Sequence, residues 1–189
     1  FKRRKLLFRS LSAAAALIII LGGSLVLLNP RTLLETQNGQ TLDYVFSDQS
    51  EVLINAKSKI RFNKNTWDRR RSLTLDGEAY FKVQKGAPFT VKNKLGSVRV
   101  LGTEFNVKTH DDAFEVECFE GKVQVVYGDS KLVLEKNDAA YFDSNGKLSQ
   151  VDIPNNEADW LNGRSRFRNQ RLAKVLREFE RHFDVVVSS

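Results

Sequence analysis

No methionine occurs anywhere in the 189 residues, and the chain opens on Phe1. A complete translation product would start with methionine, so we expect further residues upstream of Phe1. Cysteine is almost missing as well: Cys118 stands alone, which excludes an internal disulfide. It alternates with Phe114 and Val116 and therefore reads as a small buried hydrophobe rather than a nucleophile. Only two histidines are present, His110 and His182, far apart and without metal-ligand spacing. His110 sits beside Asp111 and Asp112 in an apparent turn, the one place where a metal or acid–base site could gather; the bare turn is the simpler reading. No phosphate-binding glycine motif is present, since Leu21-Gly-Gly-Ser24 lies inside an apolar run where glycine is ordinary. The carboxylates of Asp48, Glu78, Glu104 and Glu120 are scattered among turns. The residues thus give no support to an enzyme, a metal or a cofactor.

What the chain does have is one long apolar segment. Leu11 to Leu28 run without a charge, behind Lys2, Arg3, Arg4, Lys5 and Arg9. Eighteen residues at about 1.5 Å each nearly cross the ~30 Å hydrocarbon core of a bilayer as a helix. The basic flank predicts a cytoplasmic N-terminal end, with everything after the run outside. A cleaved signal peptide would have a shorter apolar stretch ending in small residues, whereas here Ala13 to Ala16 precede the centre Leu17, Ile18, Ile19, Ile20 and Leu21. We therefore expect an uncleaved anchor over 11–28, stopping near Asn29-Pro30 because the residue before proline leaves the α region.

The net charge of +7 invites a nucleic-acid reading. Setting aside the five basic residues before the anchor leaves 25 Lys and Arg against 23 Asp and Glu, close to balance. Those five suit the cytoplasmic membrane face, where anionic lipid favours them. The remaining dense cluster, Trp67-Asp-Arg-Arg-Arg71, lacks the extended basic stripe of a nucleic-acid site and is expected to be a solvated loop.

Residues 31–155 read as an all-β domain. Period-2 alternation is plain in Leu42/Tyr44/Phe46, Ile60/Phe62, Ala79/Phe81/Val83, Phe105/Val107, Phe114/Val116/Cys118 and Val123/Val125. Turn signals separate these runs at Asp76-Gly77, Lys85-Gly-Ala-Pro88, Glu120-Gly121 and Ser144-Asn-Gly146. Such spacing fits a jelly-roll-like barrel or a β-solenoid-like stack, and we favour the stack, in which each short strand needs its neighbours to cover its apolar face.

After Pro154 the pattern changes. Asn169 is a plausible N-cap, and Leu172, Leu176, Phe179 and Phe183 follow at spacings of four, three and four, on one face of a helix expected to pack into a core. His182 falls near the end of that helix, where a cation is favoured. Asp184-Val-Val-Val187 then reads as a strand whose edge, at Val185, Val186 and Val187, could accept a partner strand. Residues 157–189 thus look like the opening of a small α+β domain.

Read in order, Ser47-Asp-Gln-Ser50, Leu75-Asp-Gly-Glu-Ala-Tyr-Phe-Lys-Val83, Phe89-Thr-Val91, Val100-Leu-Gly-Thr-Glu-Phe-Asn-Val107, Glu120-Gly-Lys-Val123, Trp160-Leu-Asn-Gly163 and Phe167-Arg-Asn169 resemble the FecR family of membrane-bound sigma-factor regulators. The resemblance covers nearly the whole chain. It implies a cytoplasmic anti-sigma domain before the anchor, a periplasmic β-domain, and a C-terminal domain similar to the short N-terminal domain of secretins and TonB-dependent receptors. It also implies two partners: the signalling domain of a TonB-dependent outer-membrane receptor, and an extracytoplasmic-function sigma factor that is released on signalling. The first signature departs from the family's Leu-Pro-Asp-Gly-Ser, reading Phe46-Ser-Asp-Gln-Ser50. Without the glycine we expect a different turn type, since φ > 0 suits glutamine poorly. Two rival classes remain: an anchored envelope module that binds without signalling, and an anchored hydrolase, which would need His110, Asp111 and Asp112 to line one pocket with another acid.

Overall fold

The alternation builds fourteen short strands in two seven-stranded sheets, among the residues that the computed structural model describes: 31–110, 114–142, 148–167 and 171–185. The expected anchor, Leu17 to Leu21 included, lies outside these. Among the described residues no helix is long and apolar enough to cross a membrane.

The chain shuttles between the sheets. Strand β1 (Thr32–Glu35) starts the first, and the hairpin of β2 (Leu42–Val45) and β3 (Glu51–Ile54) starts the second. β4 (Lys59–Phe62) and β5 (Ser72–Asp76) return to the first, and β6 (Glu78–Lys82) crosses again. Next come β7 (Phe89–Lys92) with β8 (Gly96–Val100) in the first sheet, and β9 (Glu104–Lys108) with β10 (Phe114–Glu120) in the second. β11 (Val123–Tyr127) and β12 (Ser130–Leu134) close the first sheet, and β13 (Asp138–Phe142) and β14 (Leu148–Asp152) the second. The strand orders, β1-β4-β5-β7-β8-β11-β12 and β14-β13-β10-β9-β6-β3-β2, advance with the chain. The all-β reading of 31–155 thus holds, as two sheets that each grow in chain order. They are laid down in antiparallel pairs, with β5 and β7 pairing in parallel.

The inward residues of both sheets make one core. Ile60, Leu75, Val91, Val98 and Val125 face Ile54, Phe81, Phe105, Val116 and Phe142, each no more than 1 % exposed. Phe81 and Phe105 oppose one another across β6 and β9 and stack with centroids 5.0 Å apart. A buried side chain of this size contributes roughly 1.5–3 kcal/mol, so this row is the main stabilising element. Cys118 lies in the same core, fully buried, and burial pushes its thiol up to about 12.

Gly77 is the single residue between β5 and β6, where the chain changes sheets. Its φ is +123°, and a Cβ there would sit 2.3 Å from the Ser58 hydroxyl, so only glycine fits. The Ser58 hydroxyl uses that space to accept the Glu78 N–H at 2.9 Å.

Two expectations are corrected at one end of the stack. Gln49 occupies the glycine position of the family turn and nevertheless takes φ +64°, so the left-handed turn is kept rather than replaced. The reason is the carboxylate of Asp48, which accepts from the Ser50 N–H at 3.2 Å, the Ser50 hydroxyl at 2.8 Å and the Trp67 indole at 3.1 Å, and meets Arg71 Nε at 2.6 Å. Nor is the Trp67–Arg71 segment simply a solvated loop. Its middle is exposed, but Trp67 and Arg71 are buried. Arg71 also donates to the Ala87, Gln84 and Ser50 oxygens, tying three loops together.

Candidate partner-binding surface

The outer face of the second sheet is covered, which explains why β6 is buried on both sides. Over one part of it, Tyr80, Phe119 and Ala139 pack with Ile153, Ala158, Trp160 and Leu161 in a second apolar cluster. The short 3₁₀ turn Asp159–Asn162 carries Trp160, whose indole N–H donates to Asn106 Oδ1 at 3.1 Å.

The neighbouring part of the same face is polar. Glu78 accepts from Asn55 Nδ2 at 2.9 Å and from Asn106 Nδ2 at 3.0 Å, and Lys108 Nζ lies 3.8 Å away. Glu115 and Glu117 come from the adjacent strand β10. Burial, followed by the Glu78 and Glu115 charges, pushes the Glu117 carboxyl up to about 7. Burial also raises Glu115, against the pull of Lys108.

A helix, α1 (Leu172–Phe183), lies on this polar part. Its N-cap is Arg171, without a side-chain cap bond; the expected cap Asn169 is outside the described residues. Glu178 reaches Lys108 at 2.7 Å and Arg181 at 2.5 Å, and His182 Nε2 lies 3.3 Å from Asn55 Nδ2. Although burial works against it, the Lys108 charge holds the Glu178 carboxyl below its usual range. His182 does occupy the last turn, as expected, with Nδ1 3.1 Å from the Glu178 carbonyl.

The orientation of α1 reverses the expected one. Glu178 and Arg181 are its buried residues, whereas Leu172 is 70 %, Phe179 45 % and Phe183 64 % exposed. Phe179 and Phe183 stack on one another at 5.7 Å, facing outward. The amphipathic default fails because the surface beneath is a set of charges and amides, which only the charged face can satisfy. The triplet Glu178, Arg181 and His182, at i, i+3 and i+4, is the signal in the sequence that could have shown it.

Of the residues expected at a docking edge, Val185 is exposed and belongs to no strand, while Val186 and Val187 lie outside the described residues. His110 is packed near α1, and burial, with the Arg181 and Lys108 charges, pushes its pKa down to about 3. Asp111 and Asp112 lie outside the described residues. Among those described, no three His, Cys, Asp or Glu side chains converge to hold a metal.

The described residues thus form a two-sheet β-stack with α1 laid on the outer face of the second sheet and an apolar stripe of that helix exposed. Residues 32–124 match the model of the FecR protein family. The fold of the chain is similar to two crystal structures, each of a candidate anti-sigma factor from Parabacteroides distasonis ATCC 8503. One aligns with a TM-score of 0.75 and 26% identity, covering 82% of this chain and 76% of the other. The second gives 0.73 and 26%, covering 81% and 75%. No curated protein matches the sequence.

Proposed function

We propose that the protein is an anti-sigma regulator that works by binding rather than catalysis. The observation that carries this reading is the FecR match over 32–124, together with structural similarity to candidate anti-sigma factors over four-fifths of the chain. In this reading the segment 11–28 anchors the protein in the inner membrane. The β-stack stands in the periplasm, and the cytoplasmic side holds an extracytoplasmic-function sigma factor. The signalling domain of a TonB-dependent outer-membrane receptor supplies the input, and the exposed stripe of Leu172, Phe179 and Phe183 is the surface offered to it. Scattered single apolar residues are ordinary on a surface, but aromatic side chains grouped on one helix face are the composition of a binding site.

The test is to express the protein from its own gene with a C-terminal tag and isolate it from membranes. Co-purification of an RNA polymerase sigma factor is the expected outcome. Recovery from membranes without one, while the cell contains its sigma factors, would leave an anchored binding module as the better account. Phe179→Ser with Phe183→Ser then tests the input: transcription by the captured sigma factor should stop responding to signal while the protein stays folded.

A further inference from the structure

Two kinds of contact hold this molecule together, and they divide it. The β-stack is closed by a core of apolar side chains from both sheets. α1 meets that stack through Lys108 on Glu178, Asn55 on His182, and the Gly39 N–H donating to the Arg181 carbonyl at 2.8 Å. Its two buried residues are both charged.

The charges are also paired within each half. On the sheet, Glu78 keeps Asn55, Asn106 and Lys108 as partners without any help from the helix. On the helix, Glu178 keeps Arg181, and His182 keeps the Glu178 carbonyl. Parting the two surfaces breaks the Lys108–Glu178 pair, but among the described residues Lys108 retains Glu78 at 3.8 Å and Glu178 retains Arg181, so each charge keeps an opposite charge on its own side. Hydration replaces the Lys108–Glu178 bond, and no apolar side chain of α1 is fully buried.

We propose that α1 is a releasable latch, lifting from the outer face of the second sheet as a unit while the fourteen-strand stack stays folded. Opening uncovers the polar patch of Asn55, Glu78, Asn106 and Lys108. Among the described residues, the charged and titratable groups facing one another across the latch include Glu78, Lys108, His110, Glu115 and Glu117 from the sheet, and Lys174, Glu178, Arg181 and His182 from the helix. Release would let a partner gripping the aromatic stripe move the helix without unfolding the domain beneath.

Amide hydrogen exchange on the whole protein tests this. The amides of α1 should exchange faster than those of β6 and β9. Glu178→Gln keeps helix propensity and should speed α1 by about tenfold or more, with β6 and β9 unchanged. Lys108→Gln, on the other side of the contact, should do the same. A Cβ at position 39 would lie 3.6 Å from that of Asp184, within the disulfide range of about 3.5–4.5 Å. Gly39 has φ +66°, so a cysteine there carries some backbone strain, but once oxidised Gly39→Cys/Asp184→Cys should slow α1 again in the Glu178→Gln background. The latch is overturned if α1 and β6 exchange together in the wild type, if both accelerate together in Glu178→Gln, or if neither charge substitution changes α1.

Discussion

The Trp67 indole lies flat on the Phe46 ring, with centroids 4.1 Å apart and planes 7° from parallel. Phe46 begins the turn that ends at Ser50, and Trp67 begins the segment that ends at Arg71. The stack therefore holds together the two pieces that Asp48 joins by hydrogen bond and ion pair.

That arrangement pins Gln49 in the left-handed region, where a side chain costs about 1–2 kcal/mol. Gln49→Gly should relieve this, less the extra freedom glycine has when unfolded, for a net gain of about 0.5–1 kcal/mol. Urea unfolding would read it as a higher midpoint at unchanged slope. An unchanged or lower midpoint would show that Gln49 is held without strain.

Arg71→Met should be among the costly substitutions, about 3 kcal/mol, because it leaves Asp48 partly buried without its cation. Acid titration gives a second check. Burial raises the Asp48 carboxyl, but its hydrogen bonds and Arg71 together bring it below the usual carboxylate range. Its stabilisation is present above the ordinary value and lost as pH falls through the lowered one. Asp48→Asn should remove that portion of the loss of stability below about pH 4.

Glu117 behaves in the opposite sense. With its carboxyl at about 7 in the fold, the native state binds a proton that the unfolded chain releases between about pH 4.5 and 7. Stability should fall as pH rises through that window. Glu117→Gln should flatten the fall and add about 1–3 kcal/mol at pH 8. Denaturation midpoints at pH 5 and pH 8 would settle it; an equal slope in the variant would sink the assignment.

Cys118 should resist alkylation at pH 8 in the folded protein and react once urea unfolds it, since its thiol is buried and held protonated. Rapid labelling without denaturant would mean that the β9–β10 region opens locally.

Most of the stack was legible because its strands have one wet face. Ile60 and Phe62 alternate with Lys59 and Arg61, and period two marks them. Of the strands that escaped notice, β13 and β14 lack this contrast. In β13 both Ala139 and Ala140 are buried, one on each face, and β14 is an edge strand of mostly exposed residues. The docking of α1 was misjudged for a different reason: periodicity tells which residues share a face, but not whether the surface opposite is oil or salt. Arg71 shows the same limit, since a guanidinium at the end of a basic run is indistinguishable in sequence from its exposed neighbours.

Strand order also bears on how the molecule assembles. Paired strands are near in sequence, as Glu51 is to Lys82, so each hairpin can add to the one before it. The bond from Gly39 to Arg181 instead joins the β1–β2 connection to the last turn of helix. Closing a loop of that span is entropically late, and nothing can template it until the intervening strands are in place. The helix contact should therefore be the final event of folding, arriving as a slower phase after the sheets have acquired their native signal.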